Sequence, residues 1–315
     1  MSIDLKKIKV IFMGTPEFSA PILNVLIENY NVMAVVTQPD KKVGRKQILT
    51  ASPIKQIALA NQIDVLQPDK IKGNTGFIQK VKALEPDLII IAAYGLILPK
   101  EILDMPKYKV INVHASLLPK YRGASPIQAA ILNGDKETGV TIMLVNEKMD
   151  EGDILTQEKV KIMPEETSES LHAKLSVLGT KLLMETLPKW LDKEIRPQKQ
   201  DDSQATYCKL ISKEDGQINW QKSALEIERQ VRALNPWPGT WANWNSKKLK
   251  ILKSKIYEVD KAGEVGEVFK LNNGLGVYCG QNALEILELQ LEGKKPMTAK
   301  EFLNGYPGII GATLI

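Results

Sequence analysis

The feature that most restricts this chain is a rhythm in its first half. Short, almost uninterrupted apolar runs, "KVIFMG", "VMAVVTQ", "LIIIAAYG" and "KVINVHAS", alternate with stretches of helical apolar spacing such as "APILNVLIE" and "SPIQAAILNG". A strand with one face in water alternates polar and apolar residues, whereas a strand that is apolar throughout has to be covered on both faces. Such strands separated by helices predict an α/β fold with a parallel sheet between helical layers. "GVTIMLVN" continues the rhythm, and "SESLHAKLSVLGTKLLMETLPKWL" reads as one long amphipathic helix.

Beyond about residue 207 the rhythm stops, and "KLKILKSKIYEV", "GEVGEVFKLNNGLGVYCG" and "ALEILELQLEG" read as strands broken by Gly and Asn turns. A small β-barrel is the expected form. The polar, aperiodic "DKEIRPQKQDDSQAT" between the two patterns reads as a linker, giving domains at 1–190 and 207–315 joined by 191–206. A chain of 315 residues is long enough to give both parts a core.

Composition narrows the function classes. No apolar stretch is long enough for a bilayer and the charged start "MSIDLKKIKV" lacks a signal core, so a cytoplasmic protein without a membrane partner is expected. Cys208 and Cys279 form no metal-ligand spacing and are expected as free thiols, with no metal site. The net charge of +5 is mild, but its distribution is uneven. Between Arg229 and Tyr257 there is no acidic residue, while Lys247, Lys248, Lys250, Lys253 and Lys255 are basic. "KKVGRK", residues 41–46, is a second basic cluster in a loop-like, mobile segment. The tryptophans of "NPWPGTWANW" read as packing for the C-terminal module, Trp237 included. The lysines around them suit a phosphate backbone.

One polar stretch stands out. In "INVHASLLPKYRGASP", Asn112 and His114 lie two residues apart near the end of a strand, so both side chains share a face where such sheets build their sites. An amide N–H and an imidazole N–H converging on one point make a donor pair for a developing oxyanion. An acid/base partner is offered by "NEKMDEGDI", where spacing leaves Asp150 and Asp153 both open. The single glycine of "VIFMGTPEFSAP" disfavours a dinucleotide site, and no phosphate-binding lysine loop is present.

Taken in order, "VIFMGTPEFS", "INVHASLLPKYRGASPI", "GVTIMLVNEKMDEGDIL", "KLISKEDGQINW", "VRALNPWPGTW" and "LEGKKPMTAKEFLNG" resemble the methionyl-tRNA formyltransferases of the folate-dependent formyltransferase superfamily, across nearly the whole chain. The resemblance implies a Rossmann-like catalytic domain and an OB-like C-terminal barrel. It also implies formyl transfer from 10-formyltetrahydrofolate to the α-amine of methionine on initiator tRNA. It places Asn112, His114 and Asp150 on the catalytic triplet and Ser116, Leu117, Leu118 and Pro119 on the folate-contacting segment. Lys41, Lys42, Arg45 and Lys46 fall in the loop that engages the acceptor arm, and Lys247, Lys248 and Lys250 on the tRNA-binding barrel. Folate and initiator Met-tRNA are then the partners of a monomer, without DNA. The basic C-terminal module argues against a small-amine formyltransferase, and the Asn112–His114 pair against a purely RNA-binding protein.

Overall fold

The computed structural model of this chain describes residues 4–44, 47–260, 263–272 and 274–315. The chain divides into two compact units. One comprises residues 1–126, 137–161 and 172–208; the other comprises residues 127–136, 162–171 and 209–315.

In the first unit the strands are β1 (Lys9–Gly14), β2 (Asn31–Val36), β3 (Lys41–Val43), β4 (Ile48–Thr50), β5 (Asp64–Leu66), β6 (Leu88–Ala92), β7 (Val110–His114), β8 (Arg122–Gly123), β9 (Glu137–Leu144), β10 (Ile154–Lys161) and β11 (Tyr207–Cys208). Its helices are α1 (Ala20–Asn29), α2 (Pro53–Ala60), α3 (Thr75–Ala83) and α4 (Lys100–Leu103), with α6 (Ser168–Leu191) from His172 onward, whereas α5 (Pro126–Leu132) falls beyond its first residue in the other unit. Seven strands form the main sheet in the order β10-β9-β7-β6-β1-β2-β5. From β5 to β7 neighbouring strands are parallel, and β9 and β10 add an antiparallel edge. The apolar runs are buried as expected: Val10 to Met13, Ile89, Ile90, Val110 and Ile111 are sequestered from solvent. The charged "ILTQEKVK" of β10 escapes a purely apolar criterion because an edge strand keeps one face wet, and its burial alternates.

The long helix forms over its expected range. At Gly179 it comes so close to the sheet that an added Cβ would lie 2.9 Å from Val113 Cγ1, so α6 is pressed against the back of β7. Thr156 and Thr186 share a 2.6 Å hydrogen bond, and the Trp190 indole donates to the Tyr108 carbonyl. The stretch read as a linker is not loose. Ile154 and Gln198 exchange both backbone hydrogen bonds, and β11 pairs with β8. The loop-like basic segment is a two-stranded hairpin, β3 against β4, at whose turn Arg45 and Lys46 lie outside the described residues.

In the second unit α7 (Ala224–Leu234) precedes β12 (Thr240–Trp244), β13 (Lys247–Tyr257), β14 (Val268–Leu271), β15 (Gly274–Tyr278), β16 (Ala283–Leu291), β17 (Met297–Thr298) and α8 (Ala299–Gly305). Both helices open with a capping box, Ser223 with Glu226 and Thr298 with Glu301. The "S-x-x-E" signature was present in the sequence for α7, a helix not anticipated among the strands. Trp220, Ile227, Leu249, Ile251, Leu284, Ile286 and Phe302 share its core.

The expected barrel is, by strand pairing, an open antiparallel sheet in the order β12-β13-β16-β15-β14, with β17 on β16. Its two edge strands are joined through the apolar segment that follows α8. Gly311 N–H donates to the Val268 carbonyl, Val268 N–H to Ala312 and Leu314 N–H to Gly266, while Asn243 and Ile315 exchange both bonds. The apolar composition of "YPGIIGATLI" thus has a structural use: Ile309 and Leu314 are buried in the core. Among the described residues no helix is long and apolar enough to cross a membrane.

Because Leu314 is 2% exposed and Ile315 is 74% exposed, their truncations separate packing from backbone pairing. Leu314→Ala is expected to cost about 2–4 kcal/mol in urea unfolding of the protein. Ile315→Ala should stay within about 0.5 kcal/mol of the parent.

Candidate active site

The site is built at the C-terminal end of β7. That strand pairs with β6 as far as Ile91 and Asn112 and with β9 as far as Thr141 and His114, so its backbone is held on both sides to Asn112 and on the β9 side to its last residue. Two-residue periodicity then turns Asn112 and His114 to one face. Both meet the same oxygen. Asp150 Oδ1 lies 3.4 Å from Asn112 Nδ2 and 3.6 Å from His114 Nδ1. Both contacts are longer than an ordinary hydrogen bond.

His114 is 5% exposed, and its Nε2 sits 3.0 Å from the Tyr121 carbonyl. A carbonyl only accepts, so Nε2 carries a proton and donates it. That leaves Nδ1 facing Asp150. The aspartate occupies the left-handed region at φ 55°, which Asp tolerates better than most residues. Its other oxygen, Oδ2, accepts a 2.9 Å hydrogen bond from Gly123 N–H. The turn at Asp150 thus aims its carboxylate at the end of β7. Asp153 offers its backbone carbonyl to Leu144 N–H and lines a cleft on the same loop.

Gly123 has to be glycine on two counts. Its φ is +120°, and a Cβ there would run into the Cys208 carbonyl. Its neighbour Arg122 is 1% exposed. Burial alone would lower its guanidinium, but hydrogen bonds to Asp202 and Tyr207 outweigh that and hold it above the ordinary arginine value. Cys208, also beside this turn, is a half-buried free thiol whose pKa burial pushes up.

The 116–119 segment forms a tight turn held from within. Ser116 is fully buried and its hydroxyl donates to the Lys120 carbonyl at 2.6 Å. Thr141 Oγ1 accepts from Leu118 N–H and donates to the Ser116 carbonyl, and Gln157 donates to both the Leu118 carbonyl and Thr141. Leu117 packs over Gly139, and Leu118 is buried. A cleft that sequence reasoning did not find opens along the other side of the Asp150 loop. Its volume is about 350 Å³, and it is lined by Leu103, Leu144, Val145, Asn146, Gly152 and Asp153, among others. No local pattern marks it, because it joins α4 to the end of β9.

Lys41 and Lys42 are exposed on the hairpin. Lys41 donates to Gln38, whose amide in turn donates to the Tyr94 carbonyl. At the hairpin's root Asp40 lies 2.8 Å from both Lys55 Nζ and Gln67 Nε2, which hold its carboxyl below the usual range. In the second unit Lys247 and Lys248 are exposed and Lys250 is half-buried on β13, with the Lys248 ammonium 3.8 Å above the Trp241 ring. Trp244 packs on Phe302 and Tyr306 as expected of a core tryptophan. Trp237 does not: it is 53% exposed, because the turn between α7 and β12 turns its ring outward. Among the described residues no group of three or more His, Cys, Asp or Glu could hold a metal ion.

Residues 6–187 match the family described as formyl transferase, and residues 210–307 match the formyl transferase C-terminal domain. The chain is 48% identical over 299 residues to the methionyl-tRNA formyltransferase of Caldanaerobacter subterraneus subsp. tengcongensis, covering 95% of this chain and 97% of that one. It is 47% identical over 300 residues to the methionyl-tRNA formyltransferase of Bacillus subtilis, covering 94% of each. Among solved structures, the sugar 3N-formyl transferase WlaRD, crystallised in the presence of dTDP and 5-N-formyl-THF, shares the fold. Its TM-score is 0.67 at 20% identity, covering 91% of this chain and 99% of that one.

The Gly123 geometry carries its own test. Gly123→Ala should lower stability by about 1–3 kcal/mol, read from the midpoint of denaturant unfolding, because the left-handed backbone and the Cys208 carbonyl both resist a side chain.

Proposed function

As the chain belongs to the formyl transferase family, among the methionyl-tRNA formyltransferases, we propose that Asn112, His114 and Asp150 are the groups with which it acts. The protein transfers the formyl group of 10-formyltetrahydrofolate to the α-amino group of methionine on initiator tRNA. The observation that carries the assignment is the meeting of the Asn112 and His114 donors at one oxygen position, 3.4 and 3.6 Å away, at a sheet's C-terminal edge.

The residues divide the work by chemistry. The folate, when bound, supplies a formyl carbon already activated toward an amine. The Asn112 amide N–H and the Nδ1–H of His114 in its imidazolium form, Nε2–H remaining on the Tyr121 carbonyl, donate to the formyl oxygen as it gains negative charge. Asp150, held by Gly123 so that Oδ1 faces the pair, takes the proton that the amine loses, directly or through water, and that proton returns to the tetrahydrofolate nitrogen that leaves as its bond to the formyl carbon breaks. The Tyr121 carbonyl keeps the ring from rotating out of line. The cleft beside the Asp150 loop is our candidate for the donor: Leu103, Leu144 and Val145 supply apolar surface for a flat ring, among the polar and charged Lys100, Asp104, Lys109, Asn146, Glu147 and Asp153. The buried 116–119 turn supports the donor side of the site as a rigid wall, with Leu117 and Pro119 its partly exposed members.

For the RNA we propose contacts from Lys41 and Lys42 on the hairpin, from Arg45 and Lys46, which lie outside the described residues, and from Lys247, Lys248 and Lys250 on the second unit, which we read as an OB-like nucleic-acid platform. The acid-free run from Arg229 to Tyr257 and the Lys248–Trp241 pairing support that reading. We place the enzyme in the cytoplasm as a monomer, with the N-terminal unit extending to Cys208.

Two measurements test these assignments. His114→Ala should lower kcat on the order of 100-fold while leaving affinity for the folate nearly unchanged; a folded variant with normal kcat would remove His114 from the mechanism. Lys248→Ala and Lys250→Ala should each make the log–log salt dependence of tRNA binding shallower by about one unit. An unaltered slope would leave β13 as an ordinary solvated face.

A further inference from the structure

The peptide that holds the His114–Asp150 pair is itself held by a buried charge. Tyr121 offers its carbonyl to His114 Nε2 and Gly123 its N–H to Asp150 Oδ2. The residue between them, Arg122, donates from Nε to Gln200 Oε1 at 3.0 Å, from Nη1 to the Tyr207 hydroxyl at 3.2 Å and from Nη2 to Asp202 Oδ1 at 2.6 Å. Because Gln200 Oε1 is taken by Arg122, the amide has one orientation left, with Nε2 turned away. It donates at 2.8 Å to the Asp150 carbonyl and at 2.8 Å to the Gly152 carbonyl.

From this chain of contacts we propose that Arg122 and Gln200 are positioning residues for formyl transfer, acting through the Asp150 loop; the proposal rests on the assignment of Asp150 and His114 above. Asp150 is gripped twice, at its side chain by Gly123 and at its backbone by Gln200, and both grips are organised by Arg122. A guanidinium with 1% exposure is costly to bury unless its donors are met, so breaking any of these bonds leaves a charge that has to rearrange. Lysine cannot replace it, because three acceptors in three directions need the planar fork. The acceptors come from residues 200–207, which follow α6. The segment that resembles a linker in sequence is thus the far wall of the catalytic loop. Glu151, next to Asp150, is drawn into the same cluster, 3.5 Å from the Tyr207 hydroxyl and 3.9 Å from Arg122 Nη1.

Gln200→Glu keeps an oxygen toward Arg122 but sets a second oxygen against the Asp150 and Gly152 carbonyls in place of the donor. With 10-formyltetrahydrofolate and Met-tRNA varied separately, kcat should fall about 10- to 100-fold, with each KM within about twofold of the parent. Gln200→Met, which has similar length and no donor, should act in the same direction, and Arg122→Lys should too. The decisive arm is the double variant. In an Asp150→Asn background, Gln200→Glu should cost little further activity, since the carboxylate it positions is already gone. Normal kcat in both Gln200 variants, or a full additional loss on top of Asp150→Asn, overturns the proposal. Normal kcat in His114→Ala or Asp150→Asn alone would instead overturn the assignment on which it rests.

Discussion

The 2.9 Å hydrogen bond from Gly123 N–H to Asp150 Oδ2 is the constraint on which the candidate site depends. A carboxylate has two oxygens, and fixing one aims the other. With Oδ2 held, Oδ1 comes to rest between the Asn112 amide and the His114 ring. The carbonyl of Tyr121, two residues earlier, takes the far nitrogen of the same ring. One turn of chain thereby sets the ring orientation, the carboxylate orientation and the distance between them. Polar groups arranged in advance stabilise developing charge without reorganising when the reaction occurs.

A sheet buried on both faces is what makes such a turn possible. β7 lies between a parallel neighbour that pairs with it to Asn112 and an antiparallel one that pairs with it to His114, so the chain leaves the sheet at a defined point. Beyond that point every polar group taken from water needs a partner. Ser116, Thr141 and Gln157 provide them around the 116–119 turn, and Gln200, Asp202 and Tyr207 provide them around Arg122. These bonds commit side chains to the protein's own backbone. Rigidity at the strand end is the return, and few of the polar atoms near the site are left to chance.

The second unit solves a different problem. Its antiparallel sheet rests one face on α7 and α8 and leaves β12 and β14 as edges. Exposed edges invite pairing with other chains. The Gly311–Ile315 segment occupies both by backbone hydrogen bonding, and Leu314 anchors it in the core. The outer surface is then free to carry lysines beside Trp241 and an exposed Trp237.

The local sequence determined the parts of this protein that repeat. Continuous apolar runs predicted buried strands, 3.6-residue spacing predicted α6 over its full length, and two-residue spacing put Asn112 and His114 on one face at a strand end. Each of these follows from backbone geometry within one element, so each is legible in a short window. Motif resemblance carried the reading further, to Asp150 and to the reaction. Tertiary structure alone decided what joins distant segments: that Gly123 and Asp150, 27 residues apart, share a hydrogen bond, and that Arg122 reaches residues 78 to 85 positions away. It also set a polar linker against the Asp150 loop, turned Trp237 outward and made an apolar tail a bridge between sheet edges. The physical reason is common to all of these. A hydrogen bond or a buried contact depends on where the chain brings atoms in space, and no periodicity within either segment records which partner it will meet.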